Sequence, residues 1–151
     1  MTDAPPHDTS PGPIWRKPAD AAAINARSAD TAVGHLGIVV TEVGPDFLRA
    51  EMPVDSRHVQ PFRILHGGVS VTLSETLGSL ACYMTLPEGQ RAVGIEVNAN
   101  HLAPVPEGER VVAECRPIHR GRTLHVWQTE IRRADGRLAC VSRLTCSVLG
   151  G

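Results

Sequence analysis

The sequence has few aromatic residues and almost no net charge. Phe, Trp and Tyr make up 3% of its 151 residues, so its core must consist mainly of Val, Leu, Ile and Ala. The formal net charge of −1 gives no global reason to expect nucleic acid or an acidic membrane as a partner. An anionic ligand would therefore have to meet a local basic patch. This length and a hydrophobic content of 42% predict one globular domain.

The sequence also lacks cysteines at metal-ligand or redox spacing. No two of its four cysteines are spaced as a C-x-x-C pair. The cysteines are Cys82, Cys115, Cys140 and Cys146. This spacing argues against a zinc site and against a thioredoxin-like centre, so we expect no metal and no redox cofactor. The residues around them are apolar or typical of strands, which predicts reduced, buried thiols in a cytoplasmic protein.

The chain shows neither a secretory leader nor a convincing membrane span. Residues 1–13 are polar and rich in proline, and we expect them to form a disordered tail before a single domain over 14–151. The most apolar segment, 69–86, contains Glu75 together with several Ser, Thr and Gly residues. Such a segment is a poor candidate for crossing a bilayer, which is consistent with a cytoplasmic location.

Hydrophobic periodicity predicts a short helix, two strands, a long helix and then four strands. The predicted helices cover 17–27 and 68–85, and the predicted strands cover 37–43, 48–54, 91–102, 110–117, 123–132 and 138–148. An antiparallel sheet wrapped around the long helix is the most economical way to bury that helix. The sequence therefore predicts an α+β domain.

The long helix is apolar on nearly every side. Large apolar residues recur at steps of three and four: Val69, Leu73, Leu77, Leu80 and Met84. A second face carries only small residues that would let another element approach closely: Ser70, Ser74, Gly78 and Ala81. Glu75 is the only charged residue of 69–86. An unpaired buried carboxylate is costly, so this one is expected to have a partner or a chemical use.

The start of this helix has the character of an oxyanion hole. A helix N-terminus presents unpaired N–H groups and the positive end of the helix dipole, and Gly67 and Gly68 remove the side chain that would block close approach. The preceding loop adds Gln60 and His66. A Gly-Gly pair before a helix is common, so this pattern alone is a weak indication.

Glu75 can serve as a nucleophile or a general base, and Ser79 follows one turn later on the same face. Gly67 and Glu75, however, are eight residues apart, or about 12 Å along a helix. They cannot act on one carbonyl group within one chain. Two antiparallel helices across a two-fold axis would bring them together, which predicts a site at a homodimer interface. The alternative interpretation is a structural carboxylate paired with His66 across that interface.

The motif around the long helix resembles that of a known enzyme family. Q-P-F-R-I-L-H-G-G-V-S-V-T-L-S-E-T-L-G-S resembles the hotdog-fold acyl-CoA thioesterases of the 4-hydroxybenzoyl-CoA thioesterase type that use a helix glutamate. M-P-V-D-S-R, V-G-I-E-V-N-A-N-H and P-I-H-R-G extend the likeness to residues 14–149, toward the branch with thioesterases of menaquinone and enterobactin synthesis. The resemblance implies a hotdog fold, a long central helix wrapped by an antiparallel sheet. It also implies a dimer or tetramer that hydrolyses an aromatic or medium-sized acyl-CoA.

The resemblance also implies individual roles. Glu75 matches the catalytic carboxylate, Gly67 the oxyanion-hole N–H, and Gln60 and His66 the groups that orient or polarise the thioester carbonyl. Ser79 matches the hydroxyl near the attacking water. Leu80 falls where relatives vary an apolar residue facing the acyl group, so its effect on substrate choice cannot be carried over.

Coenzyme A is expected to run outward along the strands that follow the helix. The residues implied to bind it are Gly94, His101, Leu102, Ala103, Pro104, Ile118, His119, Arg120, Gly121, Arg122 and Thr123. The segment I-H-R-G-R-T is a local basic patch at a glycine turn, which suits phosphate groups. Ala103 departs from the naphthoyl-specific relative, which has a basic residue there, and an alanine side chain supplies no charge to a phosphate.

Three other functions are compatible with parts of the pattern. A hotdog thioesterase could act on acyl groups bound to a carrier protein. A hotdog hydratase or dehydratase would need an acidic residue and a histidine in a different motif, which is not found. A non-catalytic acyl-CoA sensor would be expected to lack Glu75 or to carry a DNA-binding extension.

Overall fold

A computed structural model describes residues 12–150, so nearly all of the predicted tail lies outside the described residues. The helices are α1 (Ala21–Ser28), α2 (Ala32–His35) and α3 (Gly67–Thr85). The strands are β1 (Val39–Val43), β2 (Leu48–Pro53), β3 (Arg91–His101), β4 (Arg110–Arg120), β5 (Leu124–Arg133) and β6 (Leu138–Leu149). The predicted order of elements is confirmed, and the one-turn helix α2 is added to it.

The six strands form one antiparallel sheet in the order β1-β2-β4-β5-β6-β3. Helix α3 packs against β2, β3, β4, β5 and β6, so the sheet curves around it. The predicted architecture, a long central helix wrapped by an antiparallel sheet, is confirmed. Strand β3 lies at one edge of this sheet and β1 at the other.

The small-residue face of α3 packs against the chain's own sheet. Ser74, Gly78 and Ala81 are buried, and a Cβ atom on Gly78 would lie 2.7 Å from Cδ2 of Leu144 in β6. The predicted close approach of another element to this face is confirmed, and that element is β6 of the chain's own sheet. The side of α3 that carries Glu75 is less buried, so a single chain encloses the helix incompletely.

The N-terminal segment packs against the end of α3. Trp15 stacks on Trp127 of β5 with ring centroids 6.5 Å apart, and the backbone N–H groups of Arg16 and Lys17 donate to the Met84 carbonyl. The helix predicted over 17–27 therefore begins later, at Ala21. Its N-cap is Asp20, whose carboxylate accepts the N–H of Ala23 at 2.7 Å.

Strand β4 continues past its predicted end at Pro117. A bulge between Pro117 and His119 accommodates the proline, which has no N–H to donate, and pairing with β5 resumes through Arg120. Residues 118–120 are therefore strand residues, whereas we expected a loop over 118–123. The turn that joins β4 to β5 is short and closes with the Gly121 N–H donating to the Leu124 carbonyl at 2.9 Å.

All four cysteines are free and buried, as predicted. Burial raises the pKa of Cys115 to about 12, so its thiol stays protonated. Among the helices of residues 12–150, none is both long and apolar enough to cross a membrane. The same residues contain no group of three or more His, Cys, Asp or Glu side chains positioned to hold a metal ion.

Candidate active site

A cleft of about 360 Å³ opens at the N-terminus of α3, and we call it the helix-start cleft. Six of its lining residues were predicted from the sequence: Gln60, Gly67, His101, Leu102, Ala103 and Pro104. The others were not predicted: Ile64, Leu65, Ser70, Val105 and Ala139. Ser70 could have been found, because it lies three residues after Gly67 and hence on the same helix face. The remaining contacts depend on long-range packing.

Gly67 lines this cleft, and its N–H is unpaired. Among the hydrogen bonds of the described residues, none is donated by the Gly67 N–H. A Cβ atom at this position would lie 2.8 Å from Nε2 of His101, so only glycine leaves the imidazole room beside the helix start. The unpaired N–H and the positive end of the helix suit a developing oxyanion.

His66 caps α3. Its Nδ1 accepts the N–H of Gly68 at 2.9 Å, which requires the neutral imidazole to carry its proton on Nε2. The ring is therefore bonded to the helix backbone, while Nε2–H is left as a donor. In this chain His66 does not line the helix-start cleft, so its predicted contact with the thioester stays a prediction.

Gln60 is oriented by its own loop. Its side-chain oxygen accepts the N–H of Phe62, which leaves the side-chain NH₂ group as a donor for a ligand. The loop is closed by the Arg63 N–H donating to the Gln60 carbonyl at 2.8 Å. Arg63 has a left-handed φ of 60° and is anchored by an ion pair with Glu107. A rigid loop of this kind fixes the direction of the Gln60 amide.

His58, to which we assigned no role from the sequence, supports the same loop. Its ring is fully buried, with Nδ1 accepting the Asp55 N–H at 3.1 Å and Nε2 2.8 Å from the Leu36 carbonyl. Its own carbonyl accepts the His66 N–H at 2.8 Å. His58 is therefore a structural residue that holds the approach to α3.

Glu75 lies beside Gly94 and outside the helix-start cleft. A Cβ atom on Gly94 would be 2.9 Å from Oε1 of Glu75, so the glycine makes room for the carboxylate against β3. Within residues 12–150 the carboxylate has no ion-pair partner and no hydrogen bond. A half-buried carboxylate without a partner in its own chain is available to a partner subunit or to a ligand.

Ser79 and Leu80 follow Glu75 on the half-buried side of α3. The hydroxyl groups of Thr72 and Thr76 donate to backbone carbonyls four residues earlier, whereas the described residues show no such bond for Ser79. Its hydroxyl is therefore not used by the helix. Leu80 packs at the border of the hydrophobic core, and its predicted contact with the acyl group stays a prediction.

A second cleft, of about 370 Å³, lies at the C-terminal end of α3, and we call it the basic cleft. It contains three residues of the predicted phosphate patch: Arg120, Gly121 and Arg122. It also contains six that the sequence did not indicate: Arg16, Thr85, Leu86, Pro87, Gln90 and His125. Ile118, His119 and Thr123 are exposed next to it but do not line it.

The predicted site residues thus form three groups in one chain: the helix-start cleft, the Glu75–Gly94 pair and the basic cleft. Gly67 and Glu75 both lie on the continuous helix α3, which places them about 12 Å apart along its axis. The structure therefore confirms the helical spacing that prevents both residues from touching one carbonyl group within a chain.

Comparison with known proteins identifies the family. The family model described as the thioesterase superfamily matches residues 62–140. A putative esterase of Haemophilus influenzae is 49% identical over 136 residues, which cover 90% of this chain and 98% of the relative. A protein of Klebsiella pneumoniae named proofreading thioesterase EntH is 48% identical over 136 residues, with the same two coverages.

Solved structures show the same likeness. The crystal structure of a thioesterase from Haemophilus influenzae superposes with a TM-score of 0.87 at 49% identity, covering 91% of this chain and 95% of that one. A mutant thioesterase from Pseudomonas aeruginosa gives a TM-score of 0.88 at 43% identity, covering 91% and 99%. These structures confirm the hotdog fold. The chain belongs to the thioesterase superfamily and is a thioester hydrolase.

Proposed function

We propose that the protein hydrolyses the thioester of an aromatic or medium-sized acyl-CoA, and that its active sites form between two copies of the chain. The observation that carries this proposal is the division of the site. Gly67, whose N–H is unpaired, lines one cleft, while an unpartnered Glu75 carboxylate lies about 12 Å away along the same helix. Two antiparallel α3 helices would set each half against the other.

In the proposed reaction, the thioester carbonyl lies at the start of α3 in one subunit. The Gly67 N–H and the Gln60 NH₂ group donate to its oxygen, and they stabilise the negative charge that develops when the carbonyl carbon becomes tetrahedral. Nε2–H of His66 is a third available donor. Because these groups are fixed before substrate arrives, they do not have to reorganise during the reaction.

Glu75 of the other subunit drives the attack. As a general base it takes a proton from water, whose oxygen bonds to the carbonyl carbon to give the tetrahedral intermediate. The C–S bond then breaks, CoA leaves as thiolate, and Glu75 returns its proton to the thiolate or to solvent. As a nucleophile it forms a mixed anhydride and releases CoA, and water then hydrolyses the anhydride. Both routes consume one water and give the free acid and CoA. Neither requires a metal or a redox cofactor.

The experiment that tests this proposal is thiol release from a panel of aryl-CoA and alkyl-CoA esters, with wild type, Glu75→Gln and Glu75→Ala measured in parallel. We expect both variants to lose at least about a hundredfold in kcat, because the attacking or proton-accepting carboxylate is gone. Activity near the wild-type rate in both variants would exclude the mechanism. Thermal unfolding of the variants checks that they remain folded.

A second candidate substrate is an acyl group on a carrier protein. It is favoured by the relatives named proofreading thioesterase EntH, which include one from Cronobacter sakazakii that is 47% identical over 137 residues. Measuring kcat/KM for the same acyl group on CoA and on a carrier protein separates the two functions. A large preference for the carrier-bound ester would replace our first choice.

The same proposal includes the assembly and the location. The exposed apolar residues on β3 favour a homodimer or a dimer of dimers, and we propose no nucleic-acid or membrane partner. Four free, buried cysteines support a reducing compartment, and on that basis we propose the cytoplasm.

A further inference from the structure

The basic cleft has the composition of an anion site. Three arginines line it, Arg16, Arg120 and Arg122, and no Asp or Glu does. Within residues 12–150 none of the three forms an ion pair, whereas seven other arginines do. Three cations that share one cleft without a counter-charge repel each other. An anion would offset that repulsion.

A buried histidine provides a second, independent observation. His125 lines the same cleft, its side chain is 4% exposed, and its Nδ1 has no hydrogen-bond partner among the described residues. A buried polar nitrogen without a partner is costly, so it marks a place where a ligand atom or a water completes the structure. Burial lowers the pKa of His125, an interaction with the Gly121 backbone offsets part of this effect, and the nearby Arg120 and His119 lower the pKa further. A bound anion would offset the positive charge around His125 and could also pair with its ring nitrogen.

The arginines have a competing explanation, because cations are stabilised at the C-terminus of a helix. The carbonyl of Met84 near the end of α3, however, already accepts the N–H groups of Arg16 and Lys17, and the Leu86 N–H donates to Tyr83. Lys17 also places its ammonium over the Tyr83 ring and bonds to the Gln90 carbonyl at 2.9 Å. The C-terminal end of α3 is therefore stabilised by other groups, without the guanidinium groups of the cleft.

We infer that Arg16 and His125 join Arg120 and Arg122 in one phosphate site, and that this site holds the nucleotide phosphates of the CoA thioester. The inference rests on the proposed function and adds to it two residues that no motif indicates. Trp15, stacked on Trp127, positions the segment that carries Arg16. The N-terminal segment thereby becomes part of the substrate site.

The geometry also assigns the site to one subunit of the pair. Thr85 at the edge of the cleft is ten residues from Glu75, about 15 Å along α3, but 18 residues from Gly67, about 27 Å. In the antiparallel arrangement the thioester lies between Gly67 of one chain and Glu75 of the other. Each subunit has one basic cleft. The cleft of the subunit that supplies Glu75 is therefore closer to the reacting carbon than the cleft of the subunit that supplies Gly67.

The test compares the same acyl group on CoA and on pantetheine, which lacks the phosphates. We expect Arg16→Gln and the pair Arg16→Gln with Arg122→Gln to raise KM for the CoA ester about tenfold or more, since each removes a charge-assisted hydrogen bond. KM for the pantetheine ester should not change. Arg16→Lys should recover part of the loss, and Arg27→Gln, an exposed arginine on α1, is the matched control. His125→Gln should act like Arg16→Gln, with thermal unfolding measured alongside.

Three other outcomes would overturn the inference, and each has a different meaning. If KM for the CoA ester stays at the wild-type value, the cleft does not bind the phosphates, although hydrolysis of that ester by the wild type would keep the proposed function. If KM rises equally for both esters, or only the melting temperature falls, the arginines stabilise the helix end. If wild type itself does not prefer CoA to pantetheine, CoA recognition fails together with the site.

Mixed dimers test the subunit assignment. One chain carries Glu75→Gln and the other carries Arg16→Gln with Arg122→Gln. If the phosphate site and Glu75 belong to the same subunit, every site in the mixed dimer is defective, and the surviving activity has a high KM. A mixed dimer with a wild-type KM and about half the wild-type kcat would assign the cleft to the subunit that supplies Gly67 and overturn our assignment.

Discussion

At the scale of single residues, Gly94 and Glu75 depend on each other. The Glu75 carboxylate occupies the space that any side chain at position 94 would need, since a Cβ there would lie 2.9 Å from Oε1. The same Cβ would lie 3.3 Å from Cδ1 of Leu144, which limits how the backbone can yield. The glycine is thus explained by the position of the carboxylate, and no unusual φ is required of it.

Gly94→Ala should therefore lower activity without unfolding the protein. The new methyl group displaces the flexible end of Glu75, and an error of about 1 Å in a reacting group can cost about a hundredfold in rate. We expect kcat to fall about tenfold to a hundredfold while the melting temperature changes little. Gly12→Ala is the matched control, because a Cβ there would contact nothing within 4 Å. A Gly94→Ala enzyme with wild-type kcat would show that the carboxylate does not need this position.

At the scale of elements, α3 has two sides with different uses. The small residues let the helix approach β6, and the wider, half-buried side carries Glu75 and Ser79. The first side fixes the distance between helix and sheet and hence the position of the carboxylate beside β3. The stability of the fold and the geometry of the site are therefore linked through the packing of one helix face.

Gly78→Ala tests this packing. Replacing glycine by alanine inside a helix normally stabilises it by up to about 1 kcal/mol. Here the added Cβ would lie 2.7 Å from Cδ2 of Leu144, and overpacking of this kind costs about 1–3 kcal/mol. We expect a lower free energy of unfolding in urea and a smaller penalty when Leu144→Val is also present. A stabilised single variant would contradict the close contact between α3 and β6.

At the scale of the whole molecule, β3 is an unprotected edge in a single chain. It is 11 residues long, and it exposes 44% of Val93 and 57% of Ile95. A long edge strand with exposed apolar side chains promotes association, and folded proteins normally cover such edges. The edge also lies beside Glu75, so whatever covers it lies next to the proposed active site.

Ile95→Lys should consequently dissociate the assembly and abolish activity together. The charge prevents β3 from pairing with a second copy, and a monomer cannot bring Gly67 and Glu75 to one carbonyl group. We expect a monomer by size-exclusion chromatography with light scattering and a loss of at least about a hundredfold in kcat. Val39→Lys, on the opposite edge strand where 47% of the side chain is exposed, is the control. A monomeric Ile95→Lys enzyme with full activity would exclude the shared site.

The sequence allowed the long helix and its glutamate to be predicted because both depend on local spacing. Apolar residues at steps of three and four define α3, and the step of eight positions from Gly67 to Glu75 sets their separation along the helix. The predicted end of β4 at Pro117 was wrong because a bulge after that residue lets the strand continue. A bulge depends on the partner strand, so the local sequence does not reveal it. The predicted start of α1 at Lys17 was wrong because the N–H groups of Arg16 and Lys17 bond to Met84, and Asp20 caps the helix just before the alanine run.

What the sequence by itself determined is the order of elements, the hydrophobic face of α3 and the spacing between Gly67 and Glu75 on that helix, since these follow from periodicity and position in the chain. Only the tertiary structure decided what lies across from them. It placed Gly94 against Glu75, His101 against Gly67, and Arg16 with His125 beside the loop arginines. These residues are far apart in the chain, and only the curvature of the sheet around α3 brings them together.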